Sequence, residues 1–475
     1  MQPADKTDRD KDNFLDLPLL TRYMVINKWK IGKEKDWGWS SEIAFRFLNE
    51  NRIGGQTFFD PGQHKGSSTV YGNTVLLNQP EIWAKTSYRF NDLHRLTLYT
   101  SGFHQNQDSW FGSLSYKAKQ TNAFINLQYE WNRTDNHSLK TGISLKSLDI
   151  KEDIAFTDNI IDRNYDGEYN RTERITGLFA ENTLTFLKGK MTWIAGVRVD
   201  HHNQFGLNVT PRTLLKYDPN PKLTIRANMG TGWRTVNFFS ENIGLLASSR
   251  DIVFTEAIRP EKALNMGINI TQKFENENVS GYISMDYYRT NFQSQLFPDY
   301  DTEPTKAFVK NYTGKSVSNG FQTDLFIKLY KRYEFKAGYN FLDVYRINNG
   351  VKEVLPFNPR HKILTTFSYK PVSNKFHADI NIHWFGKQRL PNTQSNPSAY
   401  QRPDYSQDYT TVNAQFTYTF KSLEVYTGCE NIFNFRQNQP IISWQNPFSP
   451  YFDISSVWGP TRGRELYMGI RWKLK

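Results

Sequence analysis

The sequence predicts an all-β chain: one very large antiparallel sheet curled into a transmembrane barrel. Three observations lead there. Segments of roughly ten residues alternate apolar and polar side chains. Tight turns and long loops join these segments in strict alternation. No apolar run approaches the roughly 18 residues that a membrane helix needs. The clearest segment sets Phe376, Ala378, Ile380, Ile382 and Trp384 between His377, Asp379, Asn381 and His383, and the next sets Val412, Ala414, Phe416, Tyr418 and Phe420 between Thr411, Asn413, Gln415, Thr417 and Thr419. Neighbouring side chains of a strand point to opposite faces, so each segment has one greasy and one wet face. About ten residues let a tilted strand cross a bilayer. The mean hydropathy of −0.66 is compatible with this, because only every second residue of such a strand faces lipid.

Strands are expected, in order, at 20–31 and 40–50, then after a long loop at 81–90 and 94–105, which meet at the Asn91-Asp92 turn. The spans 120–131 and 137–148 follow, with a polar loop to about Asn170. Next come 174–186 and 191–201 around Lys188-Gly189, then 209–217 and 222–230 around Asp218 to Pro221. A long loop reaches Arg259. The pairs 262–274 with 279–291, 320–330 with 333–344, 361–370 with 375–385 and 409–420 with 422–433 lead to a closing strand at 464–475. That makes about 19 crossings, with short turns on one side and long loops on the other, as in outer-membrane barrels. Aromatics gather beside the tight turns at Phe90, Phe186, Phe274, Tyr333, Tyr369, Phe376 and Phe420, the placement of an interfacial girdle. Bacterial barrels have even strand numbers and both ends on the periplasmic side. An odd count whose first strand enters from outside therefore implies further strands upstream.

Six glycines, Gly142, Gly196, Gly267, Gly338, Gly428 and Gly469, fall in the polar register. Either they let another backbone approach from the lumen or they ease barrel curvature.

Composition narrows the function classes. Tyr, Phe and Trp make up 15% of the chain. The single cysteine, Cys429, excludes an intramolecular disulfide and argues against a thiol metal site. The net charge of +12 points either to an anionic ligand or anionic lipid surface or simply to basic residues spread over lumen, turns and loops; no basic block is interleaved with aromatics, so a nucleic-acid partner is not expected. Residues 1–16 are polar and acidic without an apolar h-region, so no signal peptide is visible. There is no G-x-S-x-G, H-E-x-x-H or phosphate-cradling glycine loop, so an enzyme is not expected.

Two stretches resemble a known family. One runs Gly230-Thr-Gly-Trp-Arg234-Thr-Val-Asn237, then Glu241-Asn242, Ser248-Ser249-Arg250 and Arg259-Pro-Glu-Lys262. The other runs Glu430-Asn431-Ile-Phe433, Gln439-Pro440-Ile441, Phe452-Asp453 and Val457-Trp-Gly-Pro-Thr-Arg-Gly-Arg464, then the closing Tyr467 to Leu474. Both are similar to signatures of TonB-dependent outer-membrane receptors. The resemblance covers nearly all of the chain after about Asn13. It implies a 22-stranded barrel filled by an N-terminal plug, coupled to TonB–ExbB–ExbD through a short N-terminal box. Signal peptide, box, plug and about three strands are not seen here. On this reading residues 1–19 are an extracellular loop remnant and 20–475 an N-terminally truncated barrel. The last residue is Lys475, whereas many family members end in an aromatic.

The expected activity is energised uptake of a scarce ligand, such as a ferric siderophore or cobalamin, across a Gram-negative outer membrane. The alternatives are a passive porin or a surface-binding barrel. Trp110, Trp233, Arg234, Arg250, Trp444 and Tyr451 are the candidate ligand residues, since rings hold an organic chelate and arginine an anion; His64, Phe238 and Phe448 share those loops. Arg198 and Arg226 are expected to face the lumen. No cofactor is expected, with one candidate exception. Asp162, Asn164, Asp166, Gly167, Glu168 and Glu173 satisfy D-x-[DN]-x-[DN]-G-x₅-E, a calcium-loop pattern. No flanking helices accompany it. A poorer match, Asp8, Asp10, Asp12 and Asp16, is expected in an exposed loop.

Overall fold

In a computed structural model, residues 6–33, 36–158 and 163–472 are described. They form 22 strands: β1 (Leu19–Ile31), β2 (Gly38–Gly55), β3 (Gly72–Arg89), β4 (His94–Phe111), β5 (Leu114–Thr134), β6 (His137–Phe156), β7 (Gly167–Phe186), β8 (Met191–His202), β9 (Gly206–Asn220), β10 (Leu223–Arg234) and β11 (Asp251–Phe254). The second half holds β12 (Glu261–Glu275), β13 (Val279–Asp299), β14 (Lys306–Tyr312), β15 (Ser316–Leu329), β16 (Tyr333–Asn348), β17 (Val351–Val354), β18 (His361–Tyr369), β19 (Phe376–Phe385), β20 (Tyr409–Phe420), β21 (Leu423–Glu430) and β22 (Glu465–Trp472). Three of them, β11, β14 and β17, are short strands outside the main meander: β11 lies parallel to β14, and β14 and β17 pair with the outer ends of β13 and β16. The other nineteen form the wall, each antiparallel to its neighbours in sequence order, which is the number read from the sequence. No helix among the described residues is long and apolar enough to span a membrane.

The two rows that define the pattern behave as expected. Phe376 faces Tyr418, Ile380 faces Ala414 and Ile382 faces Val412 across the β19–β20 ladder. Ile380, Ile382 and Phe416 are exposed on the outer side, as are Ile125, Leu127, Ile143, Leu145 and Leu178 on β5 to β7. At the tight-turn rim the expected rings form a girdle. Tyr333 stacks on Tyr369 at 4.8 Å, Tyr369 meets Phe376 at 5.6 Å and Tyr418 meets Phe420 at 4.4 Å between centroids.

Several strands run longer than the sequence pattern suggests. The loops expected between 50 and 80, 105 and 120, and 148 and 170 are partly strand. β2 continues to Gly55, β3 starts at Gly72, only Gly112-Ser113 separates β4 from β5, and β7 starts at Gly167. The reason is an inversion of the pattern. On β5 the outward row reads Ile125, Leu127 and Tyr129 low down but Lys117, Lys119 and Thr121 higher up, while the inward row changes from Asn122, Asn126 and Gln128 to buried Leu114, Tyr116 and Ala118. β6 does the same, with Leu148, Ile150 and Ile154 turned into a core. At about 3.3 Å per residue the 21 residues of β5 span roughly 70 Å, well over what a bilayer requires. The upper part is a folded extracellular structure.

That core is completed by the segment between β10 and β12. Val236, Phe238, Phe239, Leu245, Leu246, Ala247 and Ile252 pack with Tyr116, Ile154, Tyr165, Ala307 and Val309. A second cluster joins Phe14, Tyr71 and Phe452. Residues before β1 are thus packed into the extracellular cap, where Phe14 also bridges to Gln56.

The inward glycines follow neither expected reading in full. Gly142 lies directly opposite Phe179, Gly267 opposite Tyr288, Gly428 opposite Tyr467 and Gly469 opposite Tyr426. A Cβ built on any of these four would overlap the facing ring. The aromatic lies across the space that the missing side chain leaves, a cross-strand device that pins register. Gly196 and Gly338 instead make room for Arg212 and Asp324.

Candidate ligand site at the extracellular mouth

Long chain separations meet in the cap. The Arg250 guanidinium, 3% exposed, donates from Nη2 to Asp453 Oδ2 at 2.7 Å, linking segments 203 residues apart. Its plane lies over Tyr300 at 5.5 Å. Burial alone would raise the Asp453 carboxyl. Arg250 and the N–H and hydroxyl of Ser455 outweigh that and hold it below the ordinary carboxylate range. The same two segments are joined by Ser249 N–H donating to Phe452 O at 2.9 Å. Arg389 forks onto Asp301 at 2.7 and 3.0 Å, and Tyr71 Oη donates to Ala247 O at 2.5 Å.

Two recesses open beside this cap. One, about 550 Å³, is lined by Tyr169, Phe238, Phe239 and Phe254, with Arg171 and Arg259 as cations and Glu152, Glu168 and Glu256 as anions. The other, about 680 Å³, lies along the inner wall over the bare backbone of Gly230, Thr231 and Gly232, flanked by Phe292 and the Arg212–Glu181 and Arg234–Glu261 pairs. The β9–β10 ladder ends at Arg212 opposite Gly230. Pro211 stands at that point, and proline has no N–H to carry a ladder further.

Of the six candidate ligand residues, Trp233 and Arg234 reach a recess, the inner-wall one. Trp233 Nε1 donates to Asp200 Oδ2 at 3.3 Å and its ring stands edge-on to His202. Arg234 donates to Glu261 at 2.7 Å and Glu241 at 3.0 Å. The other four build the cap. Trp110 packs against Gly66, with Lys65 over its ring. Arg250 is taken by Asp453. Trp444 leans on the Phe14–Tyr71–Phe452 cluster, and Tyr451 stacks on Tyr400 at 5.5 Å. The structure therefore does not gather the six into one site. Of the aromatic recess, sequence reading singles out Phe238 but not Tyr169, Phe239, Arg171 or Arg259, since Tyr169 and Arg171 read as a polar loop and its end. Their signal was the alternation Tyr169, Arg171, Glu173 against Asn170, Thr172, Arg174. Arg198 and Arg226 do point inward, to Asp200 with Ser144 and to Asn269 respectively.

The calcium pattern does not close into a ring. Asp162 lies outside the described residues. Asn164 donates from its backbone N–H and side-chain amide to Asp251. Asp166 and Glu168 are exposed. Glu173 follows Glu168 by five residues in one extended strand, roughly 17 Å away and on the opposite face. It is buried against Arg171, Thr235 and His202. The weaker match is drawn together instead: carboxylate oxygens of Asp8, Asp10 and Asp16 lie within 4.8 Å of one another. Burial beside this group pushes the Asp12 carboxyl up to about 7.

Comparison with known proteins agrees with this architecture. A family model described as TonB dependent receptor-like, beta-barrel matches residues 9–432. A ferric enterobactin receptor of Pseudomonas aeruginosa is 21% identical over 294 residues, covering 55% of this chain and 38% of the receptor. Among solved structures, the FpvAI–pyocin S2 complex superposes with a TM-score of 0.67 at 15% identity, over 96% of this chain and 64% of that one. The ferric-catecholate import receptor Fiu from E. coli K12 gives 0.66 at 11% identity, over 98% of this chain and 76% of that one. The chain thus spans less than two thirds of the curated relative it matches. It belongs to the TonB dependent receptor-like β-barrel family, whose barrels sit in the outer membrane of Gram-negative bacteria.

Proposed function

We propose that this chain is the wall and extracellular cap of an uptake receptor for a scarce metal chelate such as a ferric siderophore. Transport would be energised by TonB–ExbB–ExbD through an N-terminal region beyond these residues. The observation that carries the reading is the cap. Its loops are folded against each other through a hydrophobic core and the buried Arg250–Asp453 pair, and they leave a recess of aromatic rings with two arginines and three glutamates, a mixed-charge lining with the aromatic area to hold a bulky metal chelate. A passive pore gains nothing from a mouth built this way. The matched relatives named for ferric enterobactin and ferric catecholate lend support. We further propose that about three more strands complete the wall. Among the described residues β1 pairs only with β2 and β22 only with β21, and an unpaired strand edge is not tolerated in lipid.

The test is a titration of the purified chain with a panel of ferric siderophores, followed by tryptophan fluorescence. Saturable quenching by one class of chelate, lost on Arg171→Ala with Arg259→Ala, is the expected outcome. Unsaturable responses to every chelate, with steady ion conductance in planar bilayers, would favour a passive pore.

A further inference from the structure

His202 closes β8 at the extracellular rim and is wholly buried, yet nothing in ligand uptake as described accounts for how it is held. Its Nδ1 accepts the N–H groups of Gln204 at 3.0 Å and Phe205 at 3.3 Å. Two donors on one nitrogen leave it unprotonated, so the neutral ring carries its proton on Nε2. That Nε2 has no hydrogen-bond partner and faces Glu173 Oε2 across 3.8 Å. The carboxylate is occupied instead by Thr235 Oγ1 at 3.1 Å and by Arg171 Nε at 3.1 Å. The remaining charges near the ring are Lys146 on β6 and, on β8 itself, Asp200, which Arg198 and Trp233 engage. β9 places Gly206 opposite His202, and β10 brings the uncharged Trp233 ring against it. Gln204 and Phe205, the two residues that the imidazole holds, line the aromatic recess beside Arg171 and Thr235. The Phe205 and His202 rings lie 4.8 Å apart.

We propose that His202 is a proton-operated latch on that recess: neutral, it holds the Gln204–Phe205 turn against the bound ligand; protonated, it releases the turn and pairs with Glu173. The inference rests on the aromatic recess being the ligand site. A second proton, drawn from water, can enter the ring only at Nδ1. There it would point at two backbone N–H groups, so the turn or the ring must move. The charged ring has a partner ready, because the Glu173 carboxylate already stands within ion-pair distance of Nε2. Closing that gap draws the carboxylate away from Arg171, whose Nη1 stays anchored on Val236 O at 2.6 Å. Arg171 therefore keeps its place while the wall formed by Gln204 and Phe205 comes loose. Histidine changes charge between about pH 5 and about pH 8, so the ligand is gripped in neutral surroundings and let go in acid ones.

The experiment takes the full chain in detergent micelles at about pH 7.5 and about pH 5. It follows amide exchange, corrected for the intrinsic rate, and quenching of tryptophan fluorescence by a ferric siderophore. The amides of Gln204 and Phe205 should exchange roughly tenfold faster in acid, as two lost hydrogen bonds imply. His202→Asn sets an amide oxygen where Nδ1 stood, which accepts the same two N–H groups and does not titrate. It should protect the turn at both pH values and, in acid, bind the siderophore roughly tenfold more tightly than wild type; comparing chains at one pH cancels the siderophore's own protonation. His202→Leu should show the fast exchange at both pH values. Equal corrected exchange at the two pH values in wild type overturns the proposal, as does an undiminished pH dependence in His202→Asn. Equal siderophore binding by wild type and His202→Asn in acid overturns the latch and keeps the recess as the ligand site. No siderophore bound at either pH overturns the uptake reading, and the exchange measurement alone then decides whether His202 works the turn.

Discussion

Arg250 and Asp453 show how much one pair can hold. Both are nearly inaccessible, and removing one partner strands the other charge in a dry site, at a cost of about 3–5 kcal/mol. Arg250→Ala should therefore loosen the cap, seen as faster tryptic cleavage of the loops. Arg250→Met with Asp453→Leu should recover most of the protection. Gly469 makes a second case. Its facing Tyr426 ring occupies the place of a side chain, so Gly469→Val must expel the ring and slow barrel assembly, read as loss of heat-modifiable gel mobility. Asp12 sets a pH dependence. Its folded value, about 7, lies above the usual 3.8, so the folded loop binds a proton that the unfolded chain gives up. Stability of this loop is full at acidic pH and falls as pH rises from 4 through 7. Exchange of the Leu15 amide, which donates to Gly55 O, should slow as pH drops from 8 to 5 beyond the intrinsic trend, and Asp12→Asn should remove the difference.

At the scale of a strand, the two faces answer differently to the same substitution. Ile380 points to lipid and its neighbour Asn381 to the lumen. A lysine at the lipid-facing position near mid-bilayer costs about 2–4 kcal/mol, whereas Asn381→Lys should cost little. Urea titrations of both variants in lipid vesicles would separate them. This two-faced alternation is why the membrane-crossing part of each strand could be read directly. The upper parts could not. There the apolar register passes inward, as at Tyr116, Ala118, Ile150 and Ile154, and polar residues such as Lys119 and Lys151 take the outside. A search for outward apolar rows meets charges and stops. The candidate ligand residues suffered likewise. Trp110, Arg250, Trp444 and Tyr451 have the chemistry of binding residues, but only the packing of distant loops reveals that they serve the cap.

Among the described residues the wall is a meander of nineteen strands whose two margins, β1 and β22, each have one partner. β1 is exposed along nearly its full length, and Leu466, Met468, Ile470 and Trp472 of β22 are each more than two thirds exposed. If additional strands close the cylinder, amides on the outer edges of β1 and β22 should exchange within seconds in the 475-residue chain. The same amides should be protected for hours in a polypeptide extended at its N-terminus. Equal protection in both would mean that β1 and β22 bond to each other. The odd strand number was legible from turn lengths alone. The cap was not, because it depends on contacts such as that between Arg250 and Asp453, 203 residues apart.

The exchange of registers along Ala123, Ser147 and Arg174 acts as a waterline. Were the cylinder to float higher, leucines and isoleucines would be wetted; were it to sink, lysines would be drawn into oil. Its draught is therefore written into the strands, and the folded mouth is held at one fixed elevation above the cell whatever the thickness of the surrounding lipid.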